Sequence, residues 1–173
     1  MIAHGVSTGG LFLVVGMLSD RRHTRLIAEY GGLKGVVPRL SAAFLVITLS
    51  SIGLPSLNGF IGEFLVLLGT FLWQPRFAVF AATGVILSAV YMLWMVQRVY
   101  YGEVTNPKNE KLSDLSPREW AVIAPVLAMA IFMGLAPNVF LHPTAASIDK
   151  VVERMQARTQ SVEPARAALE AAR

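Results

Sequence analysis

Glu63 is the only charged residue between Arg39 and Arg76, in a stretch that is otherwise too apolar for a water-facing surface. A carboxylate at the centre of a bilayer costs roughly 2.5 to 3.5 kcal/mol on insertion scales, and such residues usually serve a function. Just before it, the sequence Gly53-Leu54-Pro55-Ser56-Leu57-Asn58-Gly59 places a proline between two glycines. Such residues interrupt helices. A broken helix beside a buried acid predicts ion or proton transport.

The composition indicates an integral membrane protein. Of the 173 residues, 54% are hydrophobic and 15% are charged, which lies outside the usual balance of soluble domains. The apolar runs cover residues 1–19, 40–75, 77–97 and 120–141. Each reaches the roughly 20 residues that a helix needs to cross the hydrocarbon core, the first one barely. We therefore expect an all-α, polytopic membrane protein with about four transmembrane helices, the second one discontinuous.

The first run, residues 1–19, begins without a polar or basic flank. This pattern is typical neither of a signal peptide nor of a complete span. Two explanations are open. The segment is either a short tilted or re-entrant helix, or a span that is cut because Met1 is an internal residue of a longer protein.

The distribution of basic residues favours one arrangement of residues 40–75. The loops 20–39 and 98–118 are rich in Lys and Arg, whereas the connection 74–76 contains Arg76 alone. A single broken span places both basic loops on the same side of the membrane, and a hairpin of two short spans places them on opposite sides. Because basic loops tend to remain cytoplasmic, we expect one broken span with both loops in the cytoplasm.

Several classes of function are excluded by what the sequence lacks. The net charge of +4 resides in loops between apolar runs, so it does not indicate nucleic-acid binding. The absence of cysteine excludes disulfides, thiolate metal sites and cysteine nucleophiles. No phosphate-binding loop, nucleophile elbow or metal-binding helix motif occurs. We expect no redox catalysis, cofactor or metal site in this chain.

An amphipathic pattern follows the last apolar run. Ile148, Val151, Val152 and Met155 recur at the spacing i, i+3, i+4, i+7, with charged residues between them. This spacing predicts a helix that lies at the membrane interface. We therefore divide the chain into a transmembrane region, residues 1–141, and an amphipathic C-terminal tail, residues 142–173.

Glu63 is the first candidate for proton transfer. It lies about one turn after Gly59, where the second half of the broken helix is expected to begin, so free N–H groups and the helix dipole favour its charged form. Removal from water favours the neutral form. A carboxyl group balanced between these effects can bind and release a proton. The alternative is a neutral glutamic acid that is hydrogen-bonded to a neighbouring helix.

His4 is the other ionisable residue expected at membrane depth. Histidine exchanges protons readily near neutral pH, although a packing hydrogen bond between helices explains it equally well. A buried carboxylate also needs a polar partner or a water-filled cavity. At the break itself, Asn58 and Ser56 can bond the backbone groups that the interruption frees. The candidate partners of Glu63 on the flanking helices are His4, Ser7, Thr8, Ser88 and Tyr91.

The fifteen residues 51–65, Ser-Ile-Gly-Leu-Pro-Ser-Leu-Asn-Gly-Phe-Ile-Gly-Glu-Phe-Leu, resemble the broken-helix signature of the antiporter-like subunits of respiratory complex I. The resemblance is to the M-type subunits, called subunit 4 in mitochondria, because the related L- and N-type subunits usually carry lysine where this chain has Glu63. Ala3-His4-Gly5 with Gly10-Leu11-Phe12 resembles the preceding helix of the family. The loop between them matches at residues 20–25 and 30–33.

The resemblance implies specific roles for the candidate residues. Glu63 would belong to a terminal proton-exchange site, and His4 to the buried polar axis of the membrane arm. The helix break would be formed by Gly53, Pro55, Asn58 and Gly59. Because the family has about fourteen spans, this chain would be its C-terminal portion and would not pump protons alone.

The resemblance also implies the setting. The chain would be a subunit of NADH–quinone oxidoreductase in a bacterial inner membrane, in contact with lipid and other membrane-arm subunits. FMN, iron–sulfur clusters and quinone would be bound by partner subunits. Two alternatives are open. One is a homologous subunit of a cation/proton antiporter complex or membrane-bound hydrogenase, and the other is a four-span scaffold protein without transport activity.

Overall fold

The computed structural model describes residues 1–171, and their side chains as far as residue 159. Regular structure in this range is helical, which confirms the predicted all-α class. The helices are α1 Ile2–Arg22, α2 Leu33–Val36, α3 Pro38–Ser51, α4 Asn58–Trp73, α5 Pro75–Tyr100, α6 Pro117–Leu135 and α7 Asn138–Ala171. Short 3-10 turns occupy Ile27–Glu29 and Pro107–Asn109. Residues 172 and 173 of the predicted tail lie outside the described part.

The helix ends follow the local sequence. Prolines occupy the first turn of α3, α5 and α6. An N–H group in this turn has no partner within the helix, so proline, which lacks one, loses no hydrogen bond there. Ser116 and Glu119 form a reciprocal capping box at the start of α6. The predicted loop start at Asp20 is wrong, because α1 continues to Arg22. Basic side chains are favourable in a last helical turn, and α1 ends where His23 adopts a φ of 52°.

The predicted interruption of residues 40–75 is present. It separates α3 from α4 and contains two residues with left-handed backbone, Gly53 with φ of 75° and Ser56 with φ of 77°. The second half-helix begins at Asn58, one residue earlier than expected, because Leu57 is extended and serves as its N-cap. The interruption is therefore a compact turn of residues 52–57 between two short apolar helices.

The helices pack as a bundle around a core that is shared by α1, α3, α5 and α6. α1 packs against α3 and α6, whereas α4 packs against α5 and α6. The fully buried side chains at the centre of this core are Val14, Leu33, Val37, Leu40, Ile47 and Ile123. The contact of α1 with both α3 and α4 places the helix break beside the first helix, where the candidate site forms.

The two basic loops meet at one end of this bundle. Arg21, at the end of α1, donates to both carboxylate oxygens of Glu119 over 2.6 and 2.7 Å. Arg22 donates to the buried Asn109 over 2.7 Å. These contacts place both loops at the same end of the bundle. A single broken crossing by α3 and α4 requires this placement, whereas a hairpin of two short spans would put the loops at opposite ends.

Asp114 closes the same end by capping α3. Its carboxylate accepts from the N–H groups of Arg39 and Leu40, over 2.9 and 3.0 Å, and from that of Leu115 over 2.8 Å. Burial opposes the charge on Asp114, but these three donors and the Arg39 charge outweigh burial and lower the pKa of this carboxyl below its ordinary value. Asp114 therefore remains ionised at neutral pH and holds the start of α3.

Three helices, α1, α5 and α6, are long and apolar enough to cross a membrane by length and composition. The halves α3 and α4 are shorter apolar helices. The fourth apolar run is shorter than predicted, because α6 ends at Leu135 and a new helix begins at Asn138 beyond Pro137. Proline disfavours the helical conformation in the residue before it, which is consistent with this end.

The helix α7 belongs to a second compact unit that begins at Asn138, whereas Met1–Pro137 form the first. The four residues predicted to share its apolar face, Ile148, Val151, Val152 and Met155, are all exposed. The assignment of residues 142–173 as a separate interfacial tail stays a prediction.

The Arg21–Glu119 pair offers a test of the packing at the loop end. The two side chains are only 12% and 23% exposed, so Glu119→Gln leaves a poorly hydrated guanidinium without its charged partner. We expect a loss of about 1.5 to 3 kcal/mol, the usual range for a hydrogen bond to a charged group, measured as a lower melting temperature of the purified full-length protein. The exposed Glu103→Gln should leave the melting temperature unchanged. Equal effects would contradict a stabilising role for the pair.

A second test concerns Gly134, where α6 approaches the interruption most closely. A Cβ atom at this residue would overlap the backbone of Ser56 and Leu57. Because backbone cannot yield as a flexible side chain does, Gly134→Ala should destabilise the protein by about 1 to 3 kcal/mol. Gly84→Ala on α5 is the matched control, since its Cβ would meet nothing within 4 Å. A similar melting temperature for both variants would contradict the close approach.

Candidate functional site

The side-chain amide of Asn58 joins three helices at the interruption. Its Nδ2 donates to the carbonyl oxygen of Ala3 over 2.8 Å, and its Oδ1 accepts from Ser7 over 3.2 Å and from Ser50. Asn58, Ser7 and Ser50 are all buried. Because an unpaired amide would be costly here, this network fixes the start of α4 against α1 and against the end of α3.

Glu63 lies in the second turn of α4, directly beside the interruption. Its partly buried carboxylate packs against Gly53, where any side chain would overlap it. The left-handed backbone of Gly53 also favours glycine. Within the described residues the carboxylate forms no hydrogen bond or ion pair. It is therefore held in position by packing and presents free acceptor oxygens.

An open cleft of about 570 Å³ surrounds this carboxylate. Its walls come from α1, the end of α3, α4 and α5. The polar residues and glycines that line it are His4, Ser7, Thr8, Ser50, Ser51, Gly59, Gly62, Glu63, Ser88 and Tyr91. The hydroxyl oxygen of Ser51 is buried without a hydrogen-bond partner among the described residues. The cleft thus gathers one carboxyl, one imidazole and several hydroxyl groups among apolar helices.

His4 reaches the cleft from the first turn of α1. Its ring nitrogens lie 3.3 and 3.4 Å from the hydroxyl of Thr8, one turn along the helix. No direct hydrogen bond or ion pair joins His4 to Glu63 in the described structure. Proton exchange between them therefore requires an intervening hydroxyl group or water.

The structure brings most of the predicted site residues together. All five candidate partners of Glu63 line its cleft, although Ser7 is already hydrogen-bonded to Asn58. Gly53 contacts the carboxylate and Gly59 packs against the carbonyl of Ser50. Pro55 and Ser56 lie exposed in the interruption and do not line the cleft. Asn58 bonds to other helices rather than to the freed backbone of the interruption.

Sequence reasoning missed three contributors to this arrangement. Ser50 and Ser51 precede the glycine and proline signals, and nothing in their spacing distinguishes them from ordinary helical serines. Gly134 lies in the fourth apolar run, 120–141, where no ionisable residue marks a site. A signal for Gly134 exists in retrospect, because a small residue allows helices to approach closely within membranes.

The cleft contains groups that can exchange protons. Within residues 1–171, no group of three or more His, Cys, Asp or Glu side chains is arranged to hold a metal ion. A carboxyl and an imidazole can each bind and release protons, whereas neighbouring hydroxyls can both donate and accept hydrogen bonds. Such a set of groups can pass protons but lacks an activated nucleophile.

Similar proteins include NADH-quinone oxidoreductase subunit M from Rhodobacter capsulatus, which is 42% identical over 91% of this chain and 31% of its own length. Subunit M from Mycobacterium tuberculosis is 42% identical over 95% of this chain and 29% of its own length. NADH-ubiquinone oxidoreductase chain 4 from Arabidopsis thaliana is 41% identical over 88% and 31%. The chain thus spans about a third of the length of these relatives.

Solved structures of two membrane complexes also contain chains that are similar to this one. A chain of respiratory complex I from Thermus thermophilus, solved with bound NADH, superposes with a TM-score of 0.77 at 39% identity, over 86% of this chain and 32% of that one. A chain of the Mrp complex from Dietzia shares the fold, with a TM-score of 0.65 at 20% identity, over 80% and 34%. The family described as NADH:quinone oxidoreductase/Mrp antiporter, TM matches residues 1–89, more than half of the chain, which therefore belongs to that family.

Proposed function

We propose that this chain is part of an M-type subunit in the proton-translocating membrane arm of NADH–quinone oxidoreductase, in a bacterial inner membrane. The observation that carries the proposal is the position of Glu63, whose carboxyl group packs against the interruption of a broken helix and has no hydrogen-bond partner among the described residues. Family membership and the subunit M relatives support the same assignment.

Glu63 exchanges the proton in this proposal. The start of α4 lies about one turn before it, so the positive end of the helix dipole favours the carboxylate, whereas the apolar walls favour the acid. The interruption keeps the carboxyl beside backbone that is not part of either helix. Gly53 is favoured because its backbone is left-handed, and a side chain there would also displace the carboxylate.

His4 relays protons to and from the cleft. The hydroxyl of Thr8 lies within 3.4 Å of both ring nitrogens, and the unpartnered hydroxyl of Ser51 lines the same space. A water-filled cleft with these groups supplies hydrogen-bonded steps between His4 and Glu63, which do not touch. Ser88 and Tyr91 extend the polar lining to α5.

The chain acts within an oxidoreductase without carrying out redox chemistry itself. Its proposed partners are the other membrane-arm subunits and the lipid bilayer. FMN, iron–sulfur clusters and quinone belong to partner subunits, which couple electron transfer from NADH to the movement of protons here. The relatives named for NADH–quinone oxidoreductase support this division of work.

The proposal is tested by Glu63→Gln in the complete complex. The amide keeps the size of the side chain but cannot exchange a proton, so pumping should fall by about 100-fold or more, the lower end of the range for lost proton-transfer groups. Inverted membrane vesicles, with a fluorescent reporter of internal acidification, measure pumping. Electron transfer from NADH to quinone is measured in the same vesicles.

Two controls make the outcome specific. Glu63→Asp keeps an exchangeable proton and should retain most of the pumping, whereas the exposed loop variant Glu110→Gln removes the same charge elsewhere and should change nothing. Native gel electrophoresis establishes that each complex is assembled. Normal pumping by an assembled Glu63→Gln complex would remove the role of Glu63 and favour a scaffold.

A further inference from the structure

A second cavity, distinct from the cleft at Glu63, is lined by residues of α3 and α6. It has a volume of about 560 Å³, within the range of small-molecule sites. Its walls are formed by Ala42, Ala43 and Val46 on α3 and by Trp120 and Leu127 on α6. The small alanines open the groove, and apart from Arg39 its lining is apolar.

The groove has a direction relative to the membrane. Arg39 and Trp120 lie near the starts of α3 and α6, at the end of the bundle where the basic loops meet. Val46 and Leu127 each lie seven residues further along their helices, about 10 Å deeper at 1.5 Å per residue. Tryptophan favours the headgroup level of a bilayer. The mouth of the groove is therefore cationic and aromatic, and its depth is apolar.

The guanidinium group of Arg39 is available at this mouth. In the part of the chain that the structure describes, its side chain makes no hydrogen bond or ion pair. Asp114 is nearby, but its carboxylate accepts from three backbone N–H groups instead. By contrast, Arg21 is paired with Glu119. The donors of Arg39 are free to bind an anion that enters from the membrane surface.

We propose that this groove binds one anionic phospholipid, with its phosphate on Arg39 and one acyl chain between α3 and α6. A phosphate and a guanidinium form charge-assisted, often bidentate hydrogen bonds. An acyl chain that lies along the membrane normal would contact the apolar side chains of the groove, such as Ala42 on α3 and Leu127 on α6. A zwitterionic phospholipid fits less well, because its own ammonium group competes with Arg39 for the phosphate.

The test uses the purified full-length complex in phosphatidylcholine vesicles that contain a phosphatidylglycerol probe with a photoreactive group in its acyl chain. After illumination, mass spectrometry locates the labelled peptides. We expect labelling within residues 39–46 and 115–127, and stronger labelling than from a phosphatidylcholine probe with the same chain. Equal labelling by both probes would overturn the proposal. It would also be overturned if residues 39–46 and 115–127 were not labelled, which would indicate that another protein segment covers the groove.

Two variants separate the headgroup from the acyl chain. Arg39→Gln should lower phosphatidylglycerol labelling by about tenfold or more, the lower end of the scale for one lost charge-assisted hydrogen bond. The cap of α3 is kept, because Asp114 binds the backbone of Arg39. Ala42→Trp should block labelling by filling the groove from its exposed side. Arg76→Gln, at the start of α5, is the matched control, and an effect equal to that of Arg39→Gln would contradict the assigned phosphate site.

Discussion

A helix that is interrupted within an apolar bundle has to find hydrogen-bond partners for its backbone N–H and C=O groups without bulk water. The rest of the structure depends on how this chain provides those partners. The turn of residues 52–57 pairs several of its own N–H groups with α3 and within itself. Asn58 then joins the new helix to α1 and to the end of α3 through Ala3, Ser7 and Ser50. Gly134 on α6 has no side chain, so the backbone of the turn can pack closely against it. Neighbouring helices thus hold the interruption, although Pro55 and Ser56 remain exposed.

These contacts at the interruption determine the position of Glu63. Because Asn58 fixes the start of α4, the carboxylate one turn further on has a defined position against Gly53. Its oxygens are nevertheless left without hydrogen-bond partners in the described structure. Packing therefore positions the acid while its proton-binding atoms remain available, which is the combination that reversible proton exchange needs. A tightly paired carboxylate would hold one charge state more strongly.

The sequence predicts the broken run and the meeting of the basic loops because composition and glycine or proline signals are local properties. It also predicts the group of polar residues around Glu63, since a lone acid in an apolar run needs polar neighbours. The partners of Asn58 are not predictable in the same way, because Ser7 and Ser50 come together only after three helices have packed. The predicted loop begins too early, at Asp20 rather than after Arg22, because charged residues often indicate a loop. Basic residues are also favourable in a last helical turn.

The two ends of the helix α3 are held by different kinds of interaction. At its start, an ionised Asp114 and the Arg21–Glu119 pair hold the loops. At its end, neutral hydrogen bonds of Asn58 and close glycine contacts hold the interruption. The neutral hydrogen bonds at the interruption usually contribute about 1 kcal/mol each, whereas hydrogen bonds to charged groups contribute about 1.5 to 3 kcal/mol. The start of α3 is therefore held more strongly than its end.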